Sequence, residues 1–204
     1  TTPQTREDAI QFAGLPASKV HLMPMEFEPV KINKLIRKHE PDYFIWPTNS
    51  AMHKNHVKAL KGILDYYQIY KDFPHIRTSR EIIAANKVLS EKIHFKGNLS
   101  VTDYFHYLAF AKFLFCPTLI DNGTFCVLEA AYYQVPSLSN LYPQIQFMDE
   151  QFKLNLNFMN AKNFQDIANR LKFMEEKSVE LKNHLPSRED LEQYSCHVYS
   201  QPYW

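Results

Sequence analysis

The stretch FLFCPTLIDNGTFCVLEAAYYQVPSLSN, residues 113–140, decides the fold of this 204-residue chain. It opens with an apolar run, Phe113 to Cys116, that ends before a proline and therefore predicts a buried strand. A polar turn at residues 121–124 precedes a segment with helical spacing from Phe125 to Tyr133. A second short strand, Pro136 to Ser139, follows almost at once. This order of elements predicts a βαβ unit.

The turn between the strand and the helix has the features of an anion-binding site. Free backbone N–H groups and the positive end of the helix dipole point toward such a turn. Two carboxylates bracket it, Asp121 in the turn and Glu129 eight positions later on the helix. Thr124 is the candidate N-cap. On spacing alone, an ordinary turn with Asp121 as a cap and Glu129 in solvent accounts for the pattern equally well.

The same residues resemble the donor-site signature of retaining glycosyltransferases of the GT-B fold, glycosyltransferase family 4. In that family a strand ends in Pro-Ser and is followed by Glu-x7-Glu-Ala, a small-residue helix and a Pro-Val strand. The corresponding residues here are Pro117-Thr118, Asp121-x7-Glu129-Ala130 and Val135-Pro136. An aspartate thus stands where the family has its first glutamate. The form DNGTF resembles a subgroup associated with bacterial surface-polysaccharide mannosyltransferases.

The resemblance implies an α/β fold, a Rossmann-like doubly wound parallel sheet that forms the C-terminal half of a GT-B enzyme. Residues 1–30 would be the junction from a missing N-terminal acceptor domain, and residues 31–182 the nucleotide-sugar donor-binding domain. Residues 183–204 would be a tail that packs back on the N-terminal domain. Further strands are expected at residues 20–25, 42–46, 92–95 and 156–158, and helices at residues 5–13, 53–70, 78–89, 100–111, 142–151 and 163–180.

One strand of such a sheet is hard to place. Between the first long helix and Leu89 the sequence offers only Phe73-Pro74-His75-Ile76 before a helical run that starts at Thr78. The family commonly has a strand ending in glycine here. We therefore expect that residues are absent between about Ile76 and Arg77, so that the chain is interrupted there.

The resemblance also implies roles for three catalytic residues. Lys54, expected at the start of a helix, matches the family's phosphate-binding lysine, whereas the family's arginine falls near Thr48 or Asn49 and is absent. Asp121 would bind hydroxyls of the transferred sugar and stabilise the oxocarbenium-like charge. Glu129 would accept hydrogen bonds from the two ribose hydroxyls.

The other donor-binding candidates surround these three. The base would be held by the turn after the strand at residues 92–95, and the diphosphate by Lys54 and the turn amides. The full set is Thr48, Asn49, His53, Asn98, Leu99, Asp103, Thr118, Asn122, Gly123, Thr124 and Phe125. The resemblance implies no obligatory metal and no cofactor, since the lysine and the amides take over that role, and the absence of an Asp-x-Asp motif agrees with this. The spacing of His53 and His56 suits a metal, but no third ligand is near.

Composition excludes several other functions. With 23 Lys and Arg against 22 Asp and Glu, the net charge of +1 leaves no basic surface on the scale that nucleic acid requires. No apolar run approaches the roughly 20 residues that span a bilayer. The three cysteines are odd in number and lack CxxC spacing, which favours reduced thiols in the cytoplasm. Peripheral association of the full-length protein with the inner face of the membrane is compatible with this location.

The resemblance thus implies the donor-binding domain of a retaining hexosyltransferase in surface polysaccharide or glycan synthesis. The favoured donor is GDP-mannose, with a UDP-hexose as the other option, and a glycan or lipid-linked acceptor would bind through the missing domain. The isolated fragment would be poorly active, because the acceptor is not positioned. A phosphorylase or epimerase of the same fold is a second interpretation. A non-catalytic Rossmann-like domain that binds a nucleotide or a protein is a third, supported by the Asp-for-Glu change and the absent arginine.

Overall fold

The computed structural model describes residues 2–22, 27–28, 30–32, 43–69, 75–78 and 87–194. Within these residues, short 3₁₀ turns occupy Ala17–Lys19 and Met52–Lys54. The strands are β1 Tyr43–Trp46, β2 His75–Thr78, β3 Ile93–Phe95, β4 Leu114–Cys116, β5 Ser137–Asn140 and β6 Asn157–Met159. The helices are α1 Pro3–Gln11, α2 His56–Ile69, α3 Lys87–Lys92, α4 Val101–Ala109, α5 Phe125–Tyr132, α6 Pro143–Phe152, α7 Phe164–Lys182 and α8 Arg188–Glu192.

The six strands form one parallel sheet in the order β3-β2-β1-β4-β5-β6. The chain starts in the middle at β1, moves outward to β3, and then crosses back to place β4 on the other side of β1. Ile45 of β1 pairs with Leu114 of β4, and the backbone N–H of Ile45 donates to the carbonyl of Phe113 at 3.1 Å. This is the doubly wound Rossmann-like order, so the predicted fold class is confirmed.

Helices cover both faces of the sheet, which is why the strands are apolar at consecutive positions. On one face, Phe44, Phe113 and Phe115 pack with α2, α3 and α7. On the other, Ile45 and Leu114 pack with α4, α5, α6 and α8. All four residues of β1 and all three of β4 are buried. The two central strands therefore belong to both cores at once.

Helices α2 and α7 pack closely against each other at Gly62. A Cβ added there would lie 2.6 Å from the Cβ of Ile167 and 3.0 Å from the carbonyl oxygen of Phe164. Neither atom belongs to the far end of a flexible side chain. Glycine at this position lets the two helices pack at short range over Ile63 and Leu171, both fully buried.

The structure corrects two predictions about the chain. Strand β2 runs without a break from His75 to Thr78, and Ile76 and Arg77 pair with consecutive residues of β1. The expected interruption between them is therefore wrong: the strand pairs with both β1 and β3 and has no terminal glycine. Residues 20–22 are not a strand, while residues 23–25 of that prediction lie outside the described residues.

Several boundaries also differ from the expected ones. Helix α2 begins at His56 rather than at residue 53, because Met52–Lys54 forms a 3₁₀ turn that ends at Asn55 in the left-handed region, φ 60°. Most of the expected helix at 78–89 lies outside the described residues, and α3 begins at Lys87. In the tail, Leu191 is buried against the α5 face, and residues 195–204 are not described.

Replacing Gly62 with alanine tests the α2–α7 contact. The added methyl meets Ile167 and the backbone of Phe164, so we expect the free energy of unfolding to fall by about 2 kcal/mol despite the better helix propensity of alanine. Urea unfolding followed by circular dichroism measures this. Gln68→Ala, an exposed position on the same helix, is the control and should be near neutral. Equal stability of Gly62→Ala and wild type would show that the two helices are not in close contact.

Candidate functional site

The crevice between the loops after β1 and β4 is where this sheet order places a ligand. The connections leaving β1 and β4 run to opposite faces of the sheet, so their carboxyl ends diverge and leave an opening. Strand β1 ends at Trp46 and β4 at Cys116. The two loops carry most of the residues that the sequence proposes for donor binding.

Lys54 and Asp121 meet across this crevice. The backbone N–H of Leu119 donates to the carbonyl of His53 at 2.8 Å, which ties the 3₁₀ turn to the loop after β4. The ammonium of Lys54 then donates to Oδ2 of Asp121 at 2.6 Å, and both side chains are mostly buried. Burial alone would raise the pKa of the Asp121 carboxyl, but Lys54 and the backbone N–H groups of Gly123 and Asn122 outweigh it and lower that pKa. Asp121 is therefore ionised at neutral pH.

Two buried asparagines hold the loops that form the crevice. The amide nitrogen of Asn55 donates to the carbonyls of Pro117 at 3.3 Å and Ala161 at 2.8 Å. Asn140, at the end of β5, donates to the carbonyl of Leu119 at 3.2 Å and accepts from the N–H of Ala161 at 3.1 Å. The loops after β4 and β6 are thus fixed by uncharged groups. Sequence reasoning missed both residues, because neither belongs to a recognised motif.

The N-terminus of α5 faces the crevice without a side-chain cap. Thr124 occupies the N-cap position but makes no capping hydrogen bond, contrary to the sequence prediction. Its hydroxyl instead forms a short hydrogen bond with the hydroxyl of Tyr142, which precedes α6. The first turn of α5 carries no acidic residue. The positive end of the helix dipole and the first N–H groups are therefore suited to an anion from outside the chain.

Glu129 lies one turn further along α5 and is held by an unpredicted partner. The hydroxyl of Tyr104 on α4 donates to Oε2 of Glu129 at 2.8 Å. Burial raises the pKa of the Glu129 carboxyl, and this hydrogen bond offsets part of that rise. Sequence reasoning missed Tyr104, because its carboxylate partner lies 25 positions away and belongs to no shared motif.

Thr48, Asn49 and His53, the candidates on the β1 side, have local partners. Thr48 is buried, and its hydroxyl lies 2.8 Å from Nε2 of His56. Burial, with the charge of Lys54, lowers the pKa of His56. The side-chain oxygen of Asn49 accepts the N–H of Ala51 at 3.0 Å. These contacts shape the loop, and His53 contributes its backbone carbonyl.

Among the remaining candidates, Asn122 is exposed, and its Oδ1 accepts the hydroxyl of Thr5 at 3.4 Å, so α1 touches the turn. Thr118 is buried, with its Oγ1 3.5 Å from the sulfur of Cys116. Gly123 and Phe125 lie in the turn and at the start of α5; a Cβ at Gly123 would meet the Phe125 ring at 2.8 Å.

The proposed base-binding residues lie further along the sheet. Asn98 and Leu99 follow β3, which β2 separates from β1. Asn98 is exposed and Leu99 partly buried. Asp103 belongs to the start of α4: its N–H donates to the hydroxyl of Ser100 at 3.1 Å, and that hydroxyl donates to its carboxylate at 2.7 Å. The helix cap therefore already uses Asp103.

A pair of thiols lies between the crevice and the α4–α5 layer. The thiols of Cys116, at the end of β4, and Cys126, in the first turn of α5, interact with each other. This interaction lowers the pKa of Cys116, and together with burial it raises the pKa of Cys126 well above its ordinary value. Both cysteines are free thiols, as the sequence predicts for them.

Neither a membrane span nor a metal-ligand cluster is found in the ranges given above. No described helix has both the length and the apolar character needed to cross a bilayer. The described residues also contain no group of three His, Cys, Asp or Glu side chains placed as metal ligands would be.

Comparisons with known proteins identify the fold. No family model matches the chain, and no curated protein matches it. A single-residue variant of S. aureus TarM, in complex with fondaparinux, alpha-GlcNAc-glycerol and UDP, has a similar structure with a TM-score of 0.70 at 15% identity, over 99% of this chain and 42% of that one. Sucrose-phosphate synthase from Thermosynechococcus elongatus has a TM-score of 0.61 at 11% identity, over 97% of this chain and 47% of that one.

A Listeria monocytogenes protein named as a UDP-N-acetylglucosamine 2-epimerase has a similar structure with a TM-score of 0.51 at 13% identity, over 76% of this chain and 43% of that one. The chain thus has the Rossmann-like α/β fold that these GT-B proteins share, and it spans less than half the length of each. At these identities the likeness concerns the fold.

Substitutions of Asn55 test how the crevice is held. Asn55→Ala leaves two buried carbonyls without a donor. It also places an alanine in the left-handed backbone region, at φ 60°, which asparagine tolerates better than alanine does. We expect a loss of about 3 kcal/mol in the free energy of unfolding. Asn55→Gly keeps the backbone unstrained and should lose about 1 kcal/mol less. Equal losses, measured by urea unfolding, would show that only the hydrogen bonds matter, and no loss would exclude the proposed support.

The ion pair of Asp121 predicts an acid-dependent stability. Its pKa is lowered on folding, so the unfolded chain binds more protons in the acidic range, and stability falls as pH drops through that range. Asp121→Asn should be less stable than wild type at pH 7, with the difference shrinking below about pH 4. Asp149→Asn is the control of opposite sign, because burial raises the pKa of Asp149. Thermal unfolding between about pH 3 and 7 measures both; parallel curves for wild type and Asp121→Asn would contradict the ion pair.

Proposed function

We propose that this chain is the donor-binding domain of a retaining glycosyltransferase that uses a nucleotide diphosphate sugar. The transferred group would be a hexose, with GDP-mannose favoured as donor, in the synthesis of a surface polysaccharide or glycan. The observation that carries the proposal is the meeting of Lys54 and Asp121 above the uncapped N-terminus of α5, at the switch point of a doubly wound sheet.

The diphosphate would bind between Lys54 and the first turn of α5. A lysine ammonium supplies charge, and the helix N-terminus supplies N–H donors with the positive end of the dipole. Thr124 does not occupy these donors, because its hydroxyl bonds to Tyr142. As the sugar–phosphate bond breaks, negative charge grows on the leaving diphosphate, and the same groups would stabilise it without a metal.

The two carboxylates would recognise the two sugar rings of the donor. Glu129 is partly buried on α5, and a carboxylate can accept hydrogen bonds from two adjacent ribose hydroxyls. Asp121 is ionised and lies beside Lys54, the residue proposed to bind the leaving diphosphate. From there it would bind hydroxyls of the transferred sugar and stabilise positive charge at the anomeric carbon. The base would lie toward the loop after β3.

Transfer also requires an acceptor, which a second domain would present. The chain spans less than half the length of the proteins that it resembles in structure. A glycan or lipid-linked acceptor would bind through that domain, in the cytoplasm or at the inner face of the membrane. This chain alone would therefore bind the donor and transfer sugar poorly.

A second candidate function is a domain that binds a nucleotide or protein without catalysis. The ion pair between Lys54 and Asp121 favours it, because the two groups neutralise each other at 2.6 Å in the absence of ligand. A donor must compete for Lys54 with this carboxylate. The two functions differ in whether Lys54 and Glu129 control nucleotide-sugar affinity.

Calorimetric titration of the chain with GDP, UDP, GDP-mannose and UDP-glucose, without added metal, tests the proposal. We expect saturable binding of one nucleotide class. Lys54→Ala should weaken it by about tenfold to a hundredfold, since a charge-assisted contact is lost, and Glu129→Gln by about tenfold. Lys58→Ala and Glu189→Gln, both exposed, are the matched controls and should leave affinity unchanged.

Stability separates a binding role for Glu129 from a structural one. Burial raises the pKa of this carboxyl, so its ionisation costs folding free energy, and stability is lost as pH rises through the folded pKa. Glu129→Gln should thus keep or raise the melting temperature at pH 7 while affinity falls.

Absence of binding both in this chain and in the longer protein that carries the acceptor domain would end the glycosyltransferase proposal.

A further inference from the structure

Tyr104 contacts Glu129, the residue proposed to bind the ribose, although no motif in the sequence singled it out. It lies on α4, and its hydroxyl crosses to α5 to donate to Oε2 of Glu129 at 2.8 Å. Its ring packs edge-on against Phe105, with centroids 5.0 Å apart. Phe105 in turn packs against Tyr133 of α5, with centroids 5.4 Å apart. The hydroxyl is therefore delivered by a ring fixed in the core.

The hydrogen bond fixes a side chain that would otherwise be free to rotate. A glutamate has three rotatable bonds, and binding a ligand would order them at an entropic cost. Tyr104 engages Oε2, while Oε1 accepts no hydrogen bond from the described residues. Burial and the charge of Glu129 raise the pKa of Tyr104 well above its ordinary value, so its hydroxyl stays a donor at neutral pH.

We propose that Tyr104 is a positioning residue of the nucleotide site, which orients Glu129 by holding Oε2 so that Oε1 accepts the ribose hydroxyls. The inference rests on the proposed function, because it assigns Glu129 to the ribose. Tyr104 acts through Glu129 and makes no contact of its own with the reacting atoms.

The same contact favours the ionised form of Glu129. Burial raises the pKa of this carboxyl, and the Tyr104 hydroxyl acts in the opposite direction. The other titratable groups facing this pair are Cys126 and Tyr133 on α5 and Cys116 at the end of β4. The Tyr133 hydroxyl donates to the carbonyl of Val30 and the Cys116 thiol to Thr118, so neither replaces the hydrogen bond that Tyr104 donates to Glu129. Its loss should raise the pKa of Glu129 further.

Tyr104→Phe, which removes only the hydroxyl, tests the proposal against Tyr132→Phe. Tyr132 donates to Glu192 at 2.9 Å, so this control breaks the same kind of bond at a carboxylate outside the crevice. The probes are UDP and GDP, each with its 2′-deoxy form, titrated across pH 5–8 by calorimetry. We expect wild type to prefer the ribonucleotide by about tenfold, Tyr104→Phe to reduce that preference to about threefold, and Tyr132→Phe to keep it.

The pH profile supplies a second readout that lost stability alone would not change. The onset of ribonucleotide binding should move to higher pH in Tyr104→Phe and stay in place in Tyr132→Phe. Titration of the nucleotide's own phosphate is common to all three proteins and cancels in the comparison. A wild type that binds neither nucleotide, both as this chain and as the longer protein with its acceptor domain, overturns the proposed function and the inference with it. Binding with unchanged ribose preference and pH onset in Tyr104→Phe overturns the inference alone.

Discussion

The pairing of β1 with β4 is the constraint on which the fold and the crevice both depend. Ile45 and Leu114 pair across a long sequence separation, and every residue of both strands is buried. Such a contact requires the chain between the two strands to cross back over the sheet. Because β2 and β5 lie on opposite sides of this pair, right-handed crossovers place the helices after β1 and β4 on opposite faces. The core and the opening above it therefore have the same cause.

Uncharged groups hold that opening, so its charged groups remain suited to a ligand. Asn55 and Asn140 join the loops after β4 and β6 through four hydrogen bonds to backbone groups. Amides can satisfy buried carbonyls and N–H groups without bringing a charge out of water. Asn55 also adopts the left-handed backbone that ends the 3₁₀ turn, at little cost for this residue type. The turn then presents Lys54 to Asp121.

Local pattern predicted the parts of this architecture that local forces determine. The apolar run at Phe113 and the spacing after Phe125 predicted β4 and α5, because burial and helical periodicity are written in consecutive residues. Strand β2 was harder to predict, since His75 and Arg77 are polar and the position of the strand in the sheet comes from its pairing with β1. Thr124 was predicted to be a helix cap, but its hydroxyl forms a hydrogen bond with Tyr142, a residue 18 positions away. Partners at such distances, like Tyr104 for Glu129, follow from tertiary packing.

The two carboxylates of the crevice respond to burial in opposite ways, and this difference bears on function. Asp121 has a cation and two N–H donors beside it, so its charge is stabilised in the ligand-free chain. Glu129 has one neutral donor, and its raised pKa means that its charge is incompletely compensated. A group that donates hydrogen bonds to Glu129, as a ribose diol would, relieves that cost, and anything that binds the folded chain alone stabilises it. Uncompensated charge in a crevice is a feature of binding sites rather than of cores. The two carboxylates therefore differ in how far the chain itself compensates their charge.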